Sequence, residues 1–306
     1  MDNKTGLQKE LFTDLRSYDY EVVCGAGGTG YPEAFELDRT LLGDVTKQTV
    51  DSCVAHVIAQ IAETFYKKKM SIGYIYGRFR SENSKGTGML MSSAVNFWNQ
   101  LGTVPNEMMD IVQEMPDMKE IIDGIPELDK YAKQYPIKGY VSINYADKTK
   151  RDNAIKDALT KQANGELKGY GLLAASNDYF QGGGHAIMLT GWDDKKGKYI
   201  FKNSWGESYG DNGYGSIPKD KVNTVYLILF DDIELPFTDV ATDAWYFGAV
   251  KNMFCAGFMN GTTETTFEPD KPMTRAEIAT LMNRFLGMID ERFAITNKIV
   301  NEKLEV

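Results

Sequence analysis

Along the first half of the chain, apolar residues recur at the spacing of a helix. In residues 52–68, SCVAHVIAQIAETFYKK, the residues Val54, Val57, Ile58, Ile61 and Phe65 fall three or four apart. That spacing predicts a buried amphipathic helix, N-capped by Asp51 or Ser52. Residues 6–17, 89–101 and 151–165 read as further helices, and an apolar run follows at 170–175. From residue 185 the pattern changes. Residues 185–192, 198–202 and 225–230 are short runs rich in β-branched and aromatic residues, parted by Asp, Lys and Gly turns, which predicts strands. Helices first and strands later is the order of an α+β domain. Glu234-Leu235-Pro236 reads as a linker. Two helical patterns follow, 244–256 and 274–288, with a turn-rich loop between them, and residues 289–306 extend the last helix or add one. The polar start of the chain ends in Cys24-Gly25-Ala26-Gly27-Gly28-Thr29-Gly30, a loop. There is no internal repeat.

Composition narrows the function classes. A length of 306 residues is a prior of two domains. The net charge of −9 argues against nucleic acid as a partner, because a polyanion binder carries a basic patch. The chain is 42% hydrophobic and 25% charged, which fits a folded chain rather than a disordered one. No apolar run is long enough to span a bilayer. The N-terminus has no apolar core of a secretory signal, which leaves an intracellular or virion location open beside a removed signal. Three cysteines cannot build a disulfide framework, so each thiol needs its own explanation.

Cys53 begins the predicted helix, where the positive end of the helix dipole favours a thiolate. A thiolate nucleophile needs a base or imidazolium partner, and the chain has two histidines. His56 lies one turn further along the same helix and reads as packing. His185 lies ~130 residues downstream of Cys53, opening a strand in Gly182-Gly183-Gly184-His185-Ala186. The glycines there allow a substrate backbone to come close. Eighteen residues beyond His185 comes Lys202-Asn203-Ser204-Trp205-Gly206, followed by Gly210-Asp211-Asn212-Gly213-Tyr214-Gly215.

Asp51-Ser52-Cys53-Val54-Ala55, then Gly184-His185-Ala186, then the Asn203-Ser204-Trp205-Gly206 block together resemble the papain-like cysteine peptidases. The resemblance covers residues 31–233, beginning at Tyr31-Pro32-Glu33-Ala34-Phe35. It implies a two-lobed α+β fold, with a helical lobe and an antiparallel β-barrel lobe. It also implies hydrolysis of peptide bonds in a protein or peptide substrate. Cys53 would attack the carbonyl, His185 would hold the thiolate and protonate the leaving amine, and Asn203 would orient the imidazole. Trp205 would cover that last hydrogen bond. Gln48 would supply an oxyanion donor. Gly86-Thr87-Gly88 would pair with the substrate backbone, and Gly184 would leave room for it. Two departures stand out. Four residues separate Gln48 from Cys53 where the family has five and a glycine, and the usual second cysteine before the nucleophile is absent. No cofactor or metal is implied beyond a reducing environment, and Cys24 and Cys255 read as structural or incidental thiols. Residues 1–30 are an N-terminal extension or a short propeptide; if they cover the cleft, the chain is a zymogen. The alternatives are a catalytically inactive papain fold used for binding, and a peptidoglycan-directed thiol amidase.

Residues 236–288 resemble a single S-layer homology unit, through Phe237-Thr238-Asp239-Val240, Trp245-Tyr246, Phe267-Glu268-Pro269-Asp270 and Met273-Thr274-Arg275-Ala276-Glu277; residues 289–306 form a tail. Thr274 and Glu277 have the spacing of a capping box, which holds Arg275 in a fixed direction. The resemblance implies an anionic secondary cell-wall polysaccharide as partner, with Arg275 and Trp245 in the ligand site, and so a bacterial surface or secreted location. A guanidinium suits a carboxylate through its planar fork. The alternative leaves Trp245 in a core and Arg275 paired with a carboxylate. Such units come in threes, so a lone one of ~50 residues, near the lower limit for a free-standing core, packs on the peptidase, self-assembles with copies from other chains, or binds weakly.

Overall fold

The computed structural model describes residues 5, 7–8, 17–25, 28–80, 87–181, 183–283 and 285–286. The chain divides into two compact units. One holds residues 1–9 and 27–231, the other residues 10–26 and 232–306.

In the first unit, β1 (Ala34–Glu36) precedes the helices α1 (Cys53–Tyr66), α2 (Ile72–Arg78) and α3 (Met91–Leu101). Strand β2 (Gly139–Ser142) and helix α4 (Lys148–Ala163) follow. Then come β3 (Leu172–Ser176), β4 (His185–Asp193), β5 (Lys198–Lys202), β6 (Tyr214–Pro218) and β7 (Thr224–Leu229). The strands pair antiparallel in the order β2-β7-β3-β4-β5-β6, and β1 adds to β4. This is the α+β architecture that the switch of period implies.

Helix α1 is buried almost throughout, so its apolar face is wider than the five spaced positions alone suggest. Ser52 is its N-cap residue but makes no side-chain cap bond; its hydroxyl donates to the Val50 carbonyl instead. The α1 N–H groups are therefore left for the thiol beside them. At the far end of α1, Phe65 stacks on Phe230 with ring centroids 4.2 Å apart, and Trp98 meets Phe230 edge-on. On the other side of the sheet Trp192 stacks on Phe35 and donates to the Pro32 carbonyl. This contact requires Gly191, where a Cβ would sit 2.2 Å from the Phe35 carbonyl oxygen.

Helix α2 is absent from the sequence reading. Its IGYIYGR has β-branched and aromatic residues that favour strands. Tertiary packing decides otherwise: a Cβ at Gly73 would lie 1.8 Å from the Ile111 carbonyl oxygen, so the helix exists where its glycines let a neighbouring chain close in. Strands β2 and β6 and the short helices Asp117–Asp123 and Glu127–Ala132 are likewise unread in the sequence.

The second unit has a small core cluster of Phe237, Val240 and Val250, flanked by Tyr246, Phe247, Phe254 and Phe267. Helix α5 (Phe247–Cys255) starts three residues later than expected. Residues 275–283 are helical, within the expected 274–288, and Thr274 and Glu277 form the reciprocal capping box. Asp239 accepts from the N–H groups of Phe267 and Glu268, tying the start of the unit to its middle loop. The N-terminal segment also belongs to this unit. The short helix Tyr20–Cys24 is capped by Asp19, Tyr20 is fully buried, and the Tyr18 hydroxyl donates to Asn252 on α5. Most of the expected 6–17 helix, and residues 287–306, lie outside the described residues.

Candidate active site

Three elements converge on one groove of the first unit. Helix α1 supplies Cys53 as its first residue, β4 supplies His185 as its first residue, and the turn after β5 supplies Asn203. All three are completely buried. His185 Nε2 lies 2.7 Å from Asn203 Oδ1, which also accepts from the Ser204 N–H at 2.8 Å. An amide oxygen only accepts, so Nε2 carries the proton and Nδ1 presents its lone pair. Nδ1 is buried without a hydrogen-bond partner. The next N–H along the strand, from Ala186, donates to Cys53 Sγ at 3.4 Å. Cys53 and His185 are thus linked through the neighbouring Ala186 N–H, while His185 Nδ1 keeps its lone pair unbonded.

The imidazole is held on its faces as well. Trp205 stacks on it with centroids 4.5 Å apart, and Phe180 meets it edge-on at 4.8 Å. Phe180 is missing from the sequence reading. A phenylalanine within the polar, glycine-rich stretch 177–184, just before the histidine, is the signal that could have found it. His56 packs behind the site, its Nδ1 2.8 Å from Thr46 Oγ1, as its spacing suggests. Burial, with His185 nearby, pushes it down to about 3, so it is neutral.

Gln48 is in the site but occupied. Residues 46–48 pair with 204–206 through Gln48 N–H to Ser204 O and Gly206 N–H to Thr46 O. The Gln48 amide Nε2 donates to Val50 O at 3.1 Å, and its Oε1 accepts from Ser204 Oγ at 2.5 Å. The amide is thus turned back on its own chain.

The expected thiolate is not what this groove favours. Burial pushes the Cys53 thiol up to about 12, Asp51 adds to that, and the N–H groups of Ala186, Val54 and Cys53 itself pull only partly the other way. Burial likewise pushes His185 down to about 4 against its hydrogen bond to Asn203. The helix-dipole argument is local, and desolvation outweighs it here. A stretch of the chain's own N-terminus lies in this groove. Leu7 bridges Met89 in parallel and donates to Gly184 O at 3.2 Å. Gln8 N–H donates to Met89 O at 2.7 Å, and its side-chain amide donates to Gly88 O at 2.9 Å. Gly88 and Gly184 therefore flank Leu7 and Gln8. A Cβ on Gly184 would come within 3.2 Å of Leu7. Gly86 lies outside the described residues. Among those residues, no group of His, Cys, Asp or Glu is placed to hold a metal ion, and no helix is long and apolar enough to cross a membrane.

The family model described as papain family cysteine protease matches residues 79–228, and the S-layer homology domain model matches residues 236–279. The chain contains a papain-family cysteine protease domain and an S-layer homology domain. The first domain has the papain fold. It is similar in structure to xylellain, a cysteine protease from Xylella fastidiosa, with a TM-score of 0.54 and 18% identity over 75% of this chain and 97% of that one. A cysteine protease of Blomia tropicalis is 25% identical over 199 residues, covering 55% of each protein. A cell surface protein of Thermoanaerobacter kivui is 44% identical over 55 residues, 18% of this chain and 7% of that protein. The chain thus spans about half or less of the length of these two relatives.

In the S-layer homology domain, Trp245 is 93% exposed, its ring edge-on to Tyr246, so it is not core. Arg275 is exposed and makes no ion pair among the described residues. Cys24 is half-buried and Cys255 buried; neither is in a disulfide, and burial pushes Cys255 up to about 11.

Proposed function

We propose that this protein is a cysteine endopeptidase held at a bacterial surface by its S-layer homology domain. The observation that carries the reading is the buried His185 Nδ1, unpartnered while Asn203 holds the other ring nitrogen. In the proposed reaction the Cys53 proton passes to Nδ1 and the sulfur bonds to the substrate carbonyl carbon. The peptide C–N bond then breaks as the imidazolium returns the proton to the leaving amine, leaving a thioester. Water attacks the thioester while His185 takes its proton, and the thiol is restored as the acid leaves. The oxyanion would take the Cys53 backbone N–H as one donor, and Gln48 once its amide turns from Val50. Trp205 and Phe180 keep water off the His185–Asn203 bond, which preserves the tautomer.

The leader segment is read as an inhibitory covering, because Leu7 and Gln8 fill hydrogen-bonding positions a substrate would need. Incubating the protein in reducing buffer and sequencing its new N-terminus tests this; an unchanged N-terminus under every activating condition contradicts it. The S-layer homology domain and the surface-protein relative support a surface location. The exposed Trp245 and Arg275 support an anionic wall polysaccharide as ligand, and self-assembly through this unit remains a second outcome. A peptide-library cleavage profile with Cys53→Ala as control tests the peptidase reading. Release of amino groups from peptidoglycan but not from casein would favour the amidase instead.

A further inference from the structure

His56 and Gln60 are polar residues only 4% and 1% exposed, on the helix that begins with Cys53. They lie one turn apart and meet a single group. His56 Nδ1 lies 2.8 Å from Thr46 Oγ1, and Gln60 Nε2 donates to the same oxygen at 2.9 Å. A hydroxyl that accepts one bond still has its own proton to donate. Gln60 does not take that proton, which leaves it for Nδ1 of the neutral His56. Gln60 Oε1 is buried with no partner among the described residues, so Thr46 is what its amide holds. An apolar residue at either position would fill the same volume and need no partner. Two buried polar side chains aimed at one loop hydroxyl therefore do more than pack.

Thr46 begins the segment that carries Gln48. Its carbonyl accepts from Gly206 N–H at 2.9 Å, Lys47 bridges Trp205 in the antiparallel sense, and Gln48 N–H donates to Ser204 O at 2.8 Å. One edge of residues 46–48 is thus held by the turn after Asn203. The Thr46 hydroxyl ties the segment to α1, the helix of the nucleophile. In the proposed reaction the Gln48 amide turns from Val50 toward the oxyanion. A side chain is aimed well only from a fixed backbone, and a donor displaced from the oxyanion loses its effect.

We infer that His56 and Gln60 are positioning residues that act through the Thr46 hydroxyl to fix the backbone of Gln48 relative to Cys53. This rests on the peptidase reading and adds a support for its oxyanion donor. An oxyanion forms only in the transition state, so loss of the hydroxyl lowers kcat and leaves KM nearly unchanged.

The test uses the full chain carrying Leu7→Asp, which loosens the leader, with competent sites counted by iodoacetamide alkylation of Cys53. The substrate is the fluorogenic peptide cut fastest in the library profile. Thr46→Val keeps the shape of the side chain and removes the hydroxyl. Its kcat per competent site should fall about tenfold, with KM within about twofold of the parent. Thr46→Ser restores a hydroxyl and should recover most of that loss. In a Gln48→Ala background, Thr46→Val should cost less than about twofold, because the donor it aims is gone. Where Thr46→Val does not fold, His56→Phe, which keeps a flat ring without Nδ1, carries the same expectations. A lower melting temperature with unchanged kcat per competent site overturns the inference, since the network would then only stabilise the fold. So does a loss that Thr46→Ser does not relieve, or one that is undiminished in Gln48→Ala. Each of these leaves the peptidase reading standing. If Cys53 is alkylated and no peptide of the library is cut, the peptidase reading fails and this inference with it.

Discussion

Cys53, His185 and Asn203 have no exposed surface, whereas Trp245 in the second unit is 93% exposed. The two units solve opposite problems. A covalent reaction needs a fixed geometry and a dry environment, so its groups sit where a helix, a strand and a turn are locked by a large aromatic core. The proposed recognition of a wall polymer needs an open surface. The second unit accordingly has a thin core, of which the cluster residues Phe237, Val240 and Val250 are each still 6–7% exposed. Stability should therefore be unevenly divided, and each substitution below asks whether it is.

The largest effect belongs to the aromatic cluster behind α1. Phe230→Ala removes the ring that Phe65, Tyr66 and Trp98 pack against and should cost about 3–5 kcal/mol in denaturant unfolding. A loss under about 1 kcal/mol would mean the first unit is not held by that cluster.

Acid separates the units next. Both histidines lie in the first unit, buried and neutral. Burial pushes His185 from 6.5 down to about 4, so its contribution is present above pH 6.5 and is lost as pH falls toward 4. His185 alone should cost the first unit about 3 kcal/mol across that window, and His56, pushed further down, about as much again, seen as a falling melting temperature. The second unit has no histidine and should hold steady until carboxylates such as Asp239, lowered by backbone N–H bonds, begin to protonate below the usual carboxylate range. Parallel losses in both units between pH 6.5 and 4 would contradict this.

Smaller effects test the second unit alone. Thr274→Ala removes one half of the capping box and should cost about 1 kcal/mol, read as a lower melting temperature for this unit only. Trp245→Ala should change stability by less than about 0.5 kcal/mol, since the ring buries almost nothing, yet should weaken co-sedimentation with purified cell wall. A large stability loss would return Trp245 to a structural role.

Legibility in the sequence followed the range of the physics involved. The α1 helix and strand β5 were readable because their periodicity is local, and β5 occupies the expected residues 198–202. His185 and Asn203 were readable because glycines and a tryptophan mark their surroundings. Helix α2 was not, because its formation depends on how closely residues 111 and 118–122 approach Gly73 and Gly77. The same limit applies to Cys53. It starts the helix as expected, but the burial that opposes a thiolate comes from residues far away in sequence, and Leu7 and Gln8 lie in the same groove. The bond from Gln48 to Val50 follows from a loop conformation that spacing alone does not specify.

The pH dependence of Cys53 alkylation tests the central claim most directly. Iodoacetamide incorporation at Cys53 is followed by peptide mass in the full chain and in Leu7→Asp. A covered, neutral thiol–imidazole pair that becomes reactive when the leader leaves predicts a slow reaction in the parent, rising only in strong alkali toward about 12. In the variant it predicts a reaction faster by about tenfold or more at pH 7, with a plateau extending into acid, as an imidazolium-paired thiolate gives. Identical profiles in the two proteins, with a single midpoint near that of an ordinary thiol, would contradict the account.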